Sequence, residues 1–345
     1  MSEQMQAMAR TVSDLLAPRK GILAADESPG TLEKRFDNVN VPCTEETRRE
    51  YRELLFSTPG LSAYVSGVIL FEETLKQKTA AGVALPQLLI AQGMVPGIKV
   101  DRGTVSFAGF PGEKVTQGLD ELRQRLTEYK QLGVCFAKWR AVIAIGAELP
   151  TTQSIVANAD ALARYAALCQ EQGLVPIVEP EVLMDGDHSL ATCARVTEDV
   201  LESVFDSLYQ QRVLLECMLL KPNMVVPGTA SAELAAPEQV ARATLACLKR
   251  TVPAAVPGIV FLSGGQSEAS ATANLNAINS RGEKAPWVLS FSYGRALQAP
   301  VLQAWRGDGA NQGIAQQALY LRARLNSAAR EGKYTSGMEN ERPAG

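Results

Sequence analysis

Short apolar runs alternate with amphipathic stretches along most of this chain. The runs Gly21 to Asp26, Gly67 to Phe71, Val95 to Val100 and Val134 to Val142 predict strands, as do Val175 to Leu183, Leu214 to Val226, Gly258 to Ser263 and Trp287 to Tyr293. Bounded apolar runs of this kind are strands buried on both faces. Helical spacing fills the gaps. Leu119, Leu122, Leu126 and Tyr129 line one face of a helix entered near Thr116 and stopped at Gly133. Leu162, Tyr165, Ala166 and Cys169 repeat the pattern up to Gly173. Pro237 suits a first helical turn before Val240, Thr244 and Leu248, with Pro253 after the end.

Strands regularly separated by helices predict a parallel sheet. Eight such strands without a composition break predict a closed (β/α)8 barrel of the TIM type rather than two doubly wound domains. Extra helices are expected at Ala7 to Leu16, before the first strand, and at Thr44 to Phe56, between the first and second. The last helix, Asn311 to Arg330, is expected outside the barrel. Residues 1–330 thus read as one domain. Residues 331–345 are polar and without periodicity, and read as a flexible tail.

Chemistry in such a barrel sits at the carboxyl ends of the strands, so charges there carry weight. The sixth run holds Lys221 between Met218-Leu219-Leu220 and Pro222. Burial there disfavours the ammonium and frees a neutral amine, a nucleophile towards carbonyls. A lysine whose head reaches solvent at a strand end is an equally good reading of that stretch alone. The other strands tip the balance. Asp26 ends the first, where a helix cap is the commoner role. Lys99 ends the third, within reach of Asp101. Lys138 and Arg140 share one face of the fourth, and Glu179 and Glu181 one face of the fifth, around Pro180. A purely structural barrel core would hold Val, Ile and Leu at such positions. Ionisable groups recurring inside apolar runs mark a catalytic site.

The last two strands add an anion site. Ser263-Gly264-Gly265-Gln266-Ser267 runs from a strand towards a helix, so its backbone N–H groups can cradle a phosphate. Ser292-Tyr293-Gly294-Arg295 adds a close approach and a guanidinium fork. A second cationic group is expected around Thr31, Lys34 and Arg35. A desolvated lysine, two carboxylates, a second lysine and phosphate sites fit imine chemistry on a phosphorylated ketone, needing no metal and no cofactor.

Composition removes the competitors. The net charge is −3, so no global field draws the chain to nucleic acid or an anionic membrane. Six scattered cysteines form neither a disulfide framework nor a zinc knuckle, and no apolar leader precedes Arg10, so a reducing cytoplasm is expected. The single histidine, His188, reads as a surface turn residue; one histidine cannot build a multi-histidine metal site.

Six segments carry a specific resemblance. Lys20-Gly21-Ile22-Leu23-Ala24-Ala25-Asp26-Glu27-Ser28, Phe136-Ala137-Lys138-Trp139-Arg140 and Val178-Glu179-Pro180-Glu181 resemble class I fructose-bisphosphate aldolase. So do Leu219-Leu220-Lys221-Pro222-Asn223-Met224, Phe261 to Ser267 and Phe291 to Leu297, in the expected order from about Met8 to Thr335. The resemblance implies that Lys221 forms the Schiff base with the ketose C2. It implies Glu179 as proton donor and acceptor of the imine steps, and Asp26 as the group that takes the C4-hydroxyl proton. Lys138 would bind substrate and Glu181 orient the lysines. Ser263, Gly264, Gly265, Ser292, Gly294 and Arg295 would surround the C1-phosphate. Thr31, Arg35 and Lys99 would hold the C6-phosphate end, with Arg140 beside the substrate. A phosphorylated sugar substrate and a homotetramer are implied as well. The chain departs from the family's animal members in lacking a terminal Tyr: it ends Glu341-Arg342-Pro343-Ala344-Gly345, and Tyr334 matches an upstream motif. It also has Ser28-Pro29-Gly30-Thr31 where many relatives have Ser-Thr-Gly-Ser; Thr31 keeps the hydroxyl.

Overall fold

The computed structural model describes residues 2–280 and 285–340. The apolar runs form eight parallel strands: β1 (Gly21–Ala25), β2 (Val65–Leu70), β3 (Val95–Lys99), β4 (Phe136–Ile143), β5 (Val175–Val182), β6 (Leu219–Leu220), β7 (Gly258–Phe261) and β8 (Val288–Tyr293). Each pairs with its sequence neighbours, and β1 pairs with β8 to close the ring. The (β/α)8 expectation holds, with strand ends moved by a residue or two.

β6 is the exception. The sequence predicts a strand from Leu214 to Val226, but only Leu219–Leu220 is one, preceded by a 3-10 turn at Leu215–Cys217. Pro222 has no N–H to continue the ladder. Side chains satisfy the backbone beyond it instead. Asn223 Oδ1 accepts from the Val182 N–H at 3.0 Å, and Thr244 Oγ1 from that of Val225 at 2.9 Å. Lys221 therefore lies just past the strand, with its own N–H donated to the Val178 carbonyl at 2.8 Å.

The helix expected from Thr116 starts at Leu122. Thr116 instead ends a small antiparallel hairpin, Thr104–Ser106 with Lys114–Thr116, beside the barrel mouth. The N-terminal helix, Glu3–Leu15, is capped by Ser2. Its Met8, Val12 and Leu15 close the amino end of the barrel against Ile22, Ile69, Phe136, Ile177, Leu219 and Val260. The lower lumen is thus apolar and filled. A Cβ on Gly97 would lie 2.3 Å from the Phe136 ring, so that glycine makes room for the aromatic plug. A second, larger core lies between the strands and the outer helices. Helix Gln312–Arg330 packs outside, against Arg295–Trp305 and Glu268–Ser280.

After Arg330 the chain forms a short 3-10 helix at Ser336–Asn340, and the buried Tyr334 donates its hydroxyl to Glu339 at 2.8 Å. Residues 341–345, the rest of the expected tail, lie outside the described residues. His188 is not a surface residue: it is 8% exposed, because the Gly228 N–H donates to the His188 carbonyl and folds the next loop over it. Among the described residues, no helix is long and apolar enough to cross a membrane.

Candidate active site

Strand alternation puts residues two apart on one face. In β4 that face runs Phe136, Lys138, Arg140, and in the adjacent β5 Val175, Ile177, Glu179, Glu181, with Arg140 in register with Glu179. The same periodicity that plugs the lower lumen therefore sends charges into the upper one. They line a cavity of about 710 Å3 at the carboxyl ends of the strands.

Four side chains form a continuous row at its floor. Lys138 Nζ lies 2.7 Å from Asp26 Oδ2 and 3.2 Å from Glu179 Oε2. Lys221 Nζ lies 3.1 Å from Glu179 Oε1. All four are buried. Asp26 does not cap the next helix; that position, before Pro29–Asp37, belongs to Ser28. Burial alone would raise the proton affinity of Asp26, but Lys138 and Lys221 outweigh it and hold its carboxyl well below the usual range. Burial likewise works against the Lys138 ammonium, and Asp26 and Glu179 overcome it, holding that ammonium firmly protonated. Glu179 Oε2 has an ion-pair neighbour but no aligned hydrogen bond, which leaves acceptor capacity inside the row.

Around this floor sit the remaining predicted residues. Arg140 forms an ion pair with Glu181. Lys99 donates to Asp101 Oδ1 at 2.5 Å, the partner expected for it. Thr31 and Ser28 meet through their hydroxyls at 3.1 Å, and Arg35 is paired with Glu27 on the same side of the cavity. Lys34, by contrast, is exposed and does not line the cavity. Ser263 and Gly264, after β7, and Ser292, Gly294 and Arg295, at the end of β8, also line the cavity. Ser292 Oγ is buried without a partner, and the Arg295 guanidinium donates to the Gly264 carbonyl. A Cβ on Gly294 would come 3.2 Å from the Ala24 carbonyl, so glycine permits the close approach. Gly265 does not line the cavity; its N–H is directed at Met184.

Sequence reasoning gave no role to Glu27 or Met184, and gave Asp101 only that of a Lys99 partner. Glu27 was visible beside Asp26. Asp101 holds both Lys99 and, through Oδ2, the Arg140 N–H at 3.2 Å. Among the described residues, no group of three or more His, Cys, Asp or Glu is placed to hold a metal ion.

The family model for class-I fructose-bisphosphate aldolase matches residues 7–344. The chain belongs to that family. It is 55% identical over 331 residues to a probable fructose-bisphosphate aldolase class 1 of Xylella fastidiosa, covering 96% of this chain and 99% of the relative. It is 55% identical over 337 residues to a cytosolic fructose-bisphosphate aldolase of Arabidopsis thaliana, covering 98% and 94%. The fructose-bisphosphate aldolase of Plasmodium falciparum, solved with TRAP and a small-molecule inhibitor, matches with a TM-score of 0.96 at 51% identity, covering 98% of this chain and 97% of that one. Class I aldolases are lyases that act on phosphorylated sugars without a metal. In this aldolase fold the row Asp26–Lys138–Glu179–Lys221 and the two flanking polar groups occupy one cavity, so every quoted motif but the Gly265 amide meets there. Tyr334 does not line it; its hydroxyl donates to Glu339.

Proposed function

We propose that the chain reversibly cleaves fructose 1,6-bisphosphate to dihydroxyacetone phosphate and glyceraldehyde 3-phosphate through an imine on Lys221. The observation that carries this reading is the Lys221–Glu179–Lys138–Asp26 row in a cavity that two groups of phosphate-compatible residues also line. Lys221 passes a proton to Glu179, and its neutral amine adds to the C2 carbonyl. Glu179 returns that proton to the C2 oxygen, then takes a second from the carbinolamine nitrogen and passes it to the new hydroxyl, so that water leaves and a protonated imine remains. Asp26 takes the C4-hydroxyl proton as the C3–C4 bond breaks, and that electron pair flows into the imine to give an enamine. Asp26, so well stabilised as an anion, is a weak base; the imine sink supplies the drive, and the proton leaves Asp26 readily afterwards. Protonation of the enamine at C3 and hydrolysis release dihydroxyacetone phosphate and regenerate Lys221.

Lys138 stays protonated throughout and holds substrate oxygens beside Asp26. Glu181 fixes Arg140 at the cavity wall. Ser263, Gly264, Ser292, Gly294 and Arg295 take the C1-phosphate; Thr31, Arg35 and Lys99 take the C6-phosphate. Phosphate binding at both ends supplies positioning energy away from the reacting atoms. A homotetramer in the cytoplasm completes the reading, supported by the family and by relatives named as cytosolic. Borohydride reduction in the presence of dihydroxyacetone phosphate, followed by peptide mass spectrometry, is expected to place the adduct on Lys221. Folded protein with no adduct, or an adduct on another lysine, overturns the reading.

A further inference from the structure

The C1 side of the cavity holds an arrangement that none of the motifs announces. The Gly265 N–H, one of the donors of the Ser263-Gly264-Gly265 turn, points at Met184 Sδ at 2.8 Å. That contact leaves no room for an anion oxygen on the same amide. A Cβ on Gly264 would also lie 3.5 Å from the same sulfur, so the thioether lies over both glycines of the turn. The second donor of this side, the Arg295 guanidinium, is turned onto the Gly264 carbonyl.

Met184 lies two residues past β5, and its backbone is pinned. The Thr229 N–H donates to the Met184 carbonyl at 2.7 Å, and the Ala230 N–H to that of Gly186 at 2.8 Å. The side chain is different. It is half-buried, unbranched and free to rotate about several bonds. A thioether is a weak acceptor, whereas a phosphate oxygen makes a charge-assisted bond about twice as strong as a neutral one. The exchange of one for the other on the Gly265 amide therefore favours the phosphate oxygen.

We propose that Met184 sets the affinity of the C1-phosphate subsite by standing in for a phosphate oxygen on the Gly265 N–H, and that it swings aside when the phosphorylated ketose binds. This rests on the proposed C1-phosphate site of Ser263, Gly264 and Arg295, to which a displaced Met184 adds the Gly265 N–H. The residue at position 184 is then an affinity dial: the better an acceptor it presents to Gly265, the weaker the phosphate binds.

The test uses two variants with opposite expected effects. Met184→Leu keeps the volume and removes the acceptor; Met184→Gln supplies a stronger one. The measurement is the dihydroxyacetone phosphate concentration that half-saturates borohydride trapping on Lys221, a ligand that reaches only this phosphate end. Relative to the parent chain, Met184→Leu is expected to lower it about three-fold and Met184→Gln to raise it about three-fold, from the difference between a weak and a strong acceptor. A packing role alone would move both in one direction. If trapping proceeds in all three proteins with one half-saturation, or if both variants shift the same way, the Met184 inference fails while the imine reading stands. If the parent chain traps nothing, the imine reading fails and the inference with it. Where Met184→Gln does not fold, Met184→Leu decides alone: unchanged or weaker binding overturns the proposal.

Discussion

Asp26 and Glu27 are consecutive carboxylates at the mouth of one barrel, both buried and both held ionised, yet they belong to different networks. Asp26 faces the lumen, where its partners are lysines: Lys138 at 2.7 Å and, beyond Glu179, Lys221. Glu27 faces arginines: Arg35 on one oxygen and Arg52, at 2.8 Å, on the other. Gln298 completes its shell by donating to Glu27 at 2.8 Å and to the Ala24 carbonyl at 2.7 Å. Burial raises the proton affinity of Glu27 as it does that of Asp26, and Arg35 and Arg52 reverse it. The difference lies in what the partners can do. An arginine does not release its proton, so the Glu27 network is a fixed electrostatic strut. A lysine can titrate and react, so the Asp26 network is the one suited to the proposed chemistry. One peptide bond separates a carboxylate held by lysines from a carboxylate held by arginines.

Exchanging the two roles experimentally is the sharpest way to break this contrast, and the largest effect is expected at Asp26. Asp26→Asn should lower the cleavage rate by roughly 10²- to 10⁴-fold, the usual worth of a positioned acid–base group. Imine trapping on Lys221 should survive. A variant that cleaves at the parent rate removes Asp26 from the proposed step.

Glu27→Ala should act on stability first. It leaves Arg52, which is only 1% exposed, without its carboxylate. Breaking such a pair from one side costs about 3–5 kcal/mol, readable as a lower urea midpoint. It should also loosen Arg35, the other ion-pair partner of Glu27. A Glu27→Ala protein as stable as the parent would show that the strut contributes nothing.

The smallest effect is a flat line. The folded Asp26 carboxyl titrates below its unfolded value of about 3.9, so its stabilisation is present above about pH 4 and is lost as pH falls through the folded value. Lys138 titrates above its unfolded value of about 10.4, so its share is complete below about pH 10 and is lost as pH rises through the folded value. Both shifts run in the stated directions because each group holds the other. The stability difference between the parent chain and Asp26→Asn should therefore stay constant from about pH 5 to pH 9 and shrink only in stronger acid or stronger base. A difference that changes through neutrality would mean that the pair is not locked in its ionised form.

Much of this was legible in the chain. Apolar runs separated by helical spacing were enough for the barrel, because each strand is buried on both faces and must be apolar throughout. The charged residues then stood out as exceptions inside those runs. The period of two put Lys138 with Arg140 and Glu179 with Glu181 before any coordinates. What was not legible is where backbone pairing stops and which long-range side chains take over. β6 shrank to two residues because the Asn223 and Thr244 side chains, not a ladder, take up the Val182 and Val225 N–H groups around Pro222. His188 read as a surface residue because nothing local signals that the loop containing Gly228 covers it.

The sequence by itself determined the kinds of group available: one lysine in an apolar run before a proline, carboxylates and a second lysine in others, and a glycine turn with an arginine nearby. Those follow from local spacing and from the composition of each run. Only the tertiary structure decided the pairings. Lys138 lies between Asp26 and Glu179, Glu27 is turned to Arg52, and Met184 covers an amide 81 positions away in the chain. The physical reason is distance along the chain. Periodicity fixes which face a side chain takes, but a partner across the lumen is set by closure of the barrel, which no local pattern encodes.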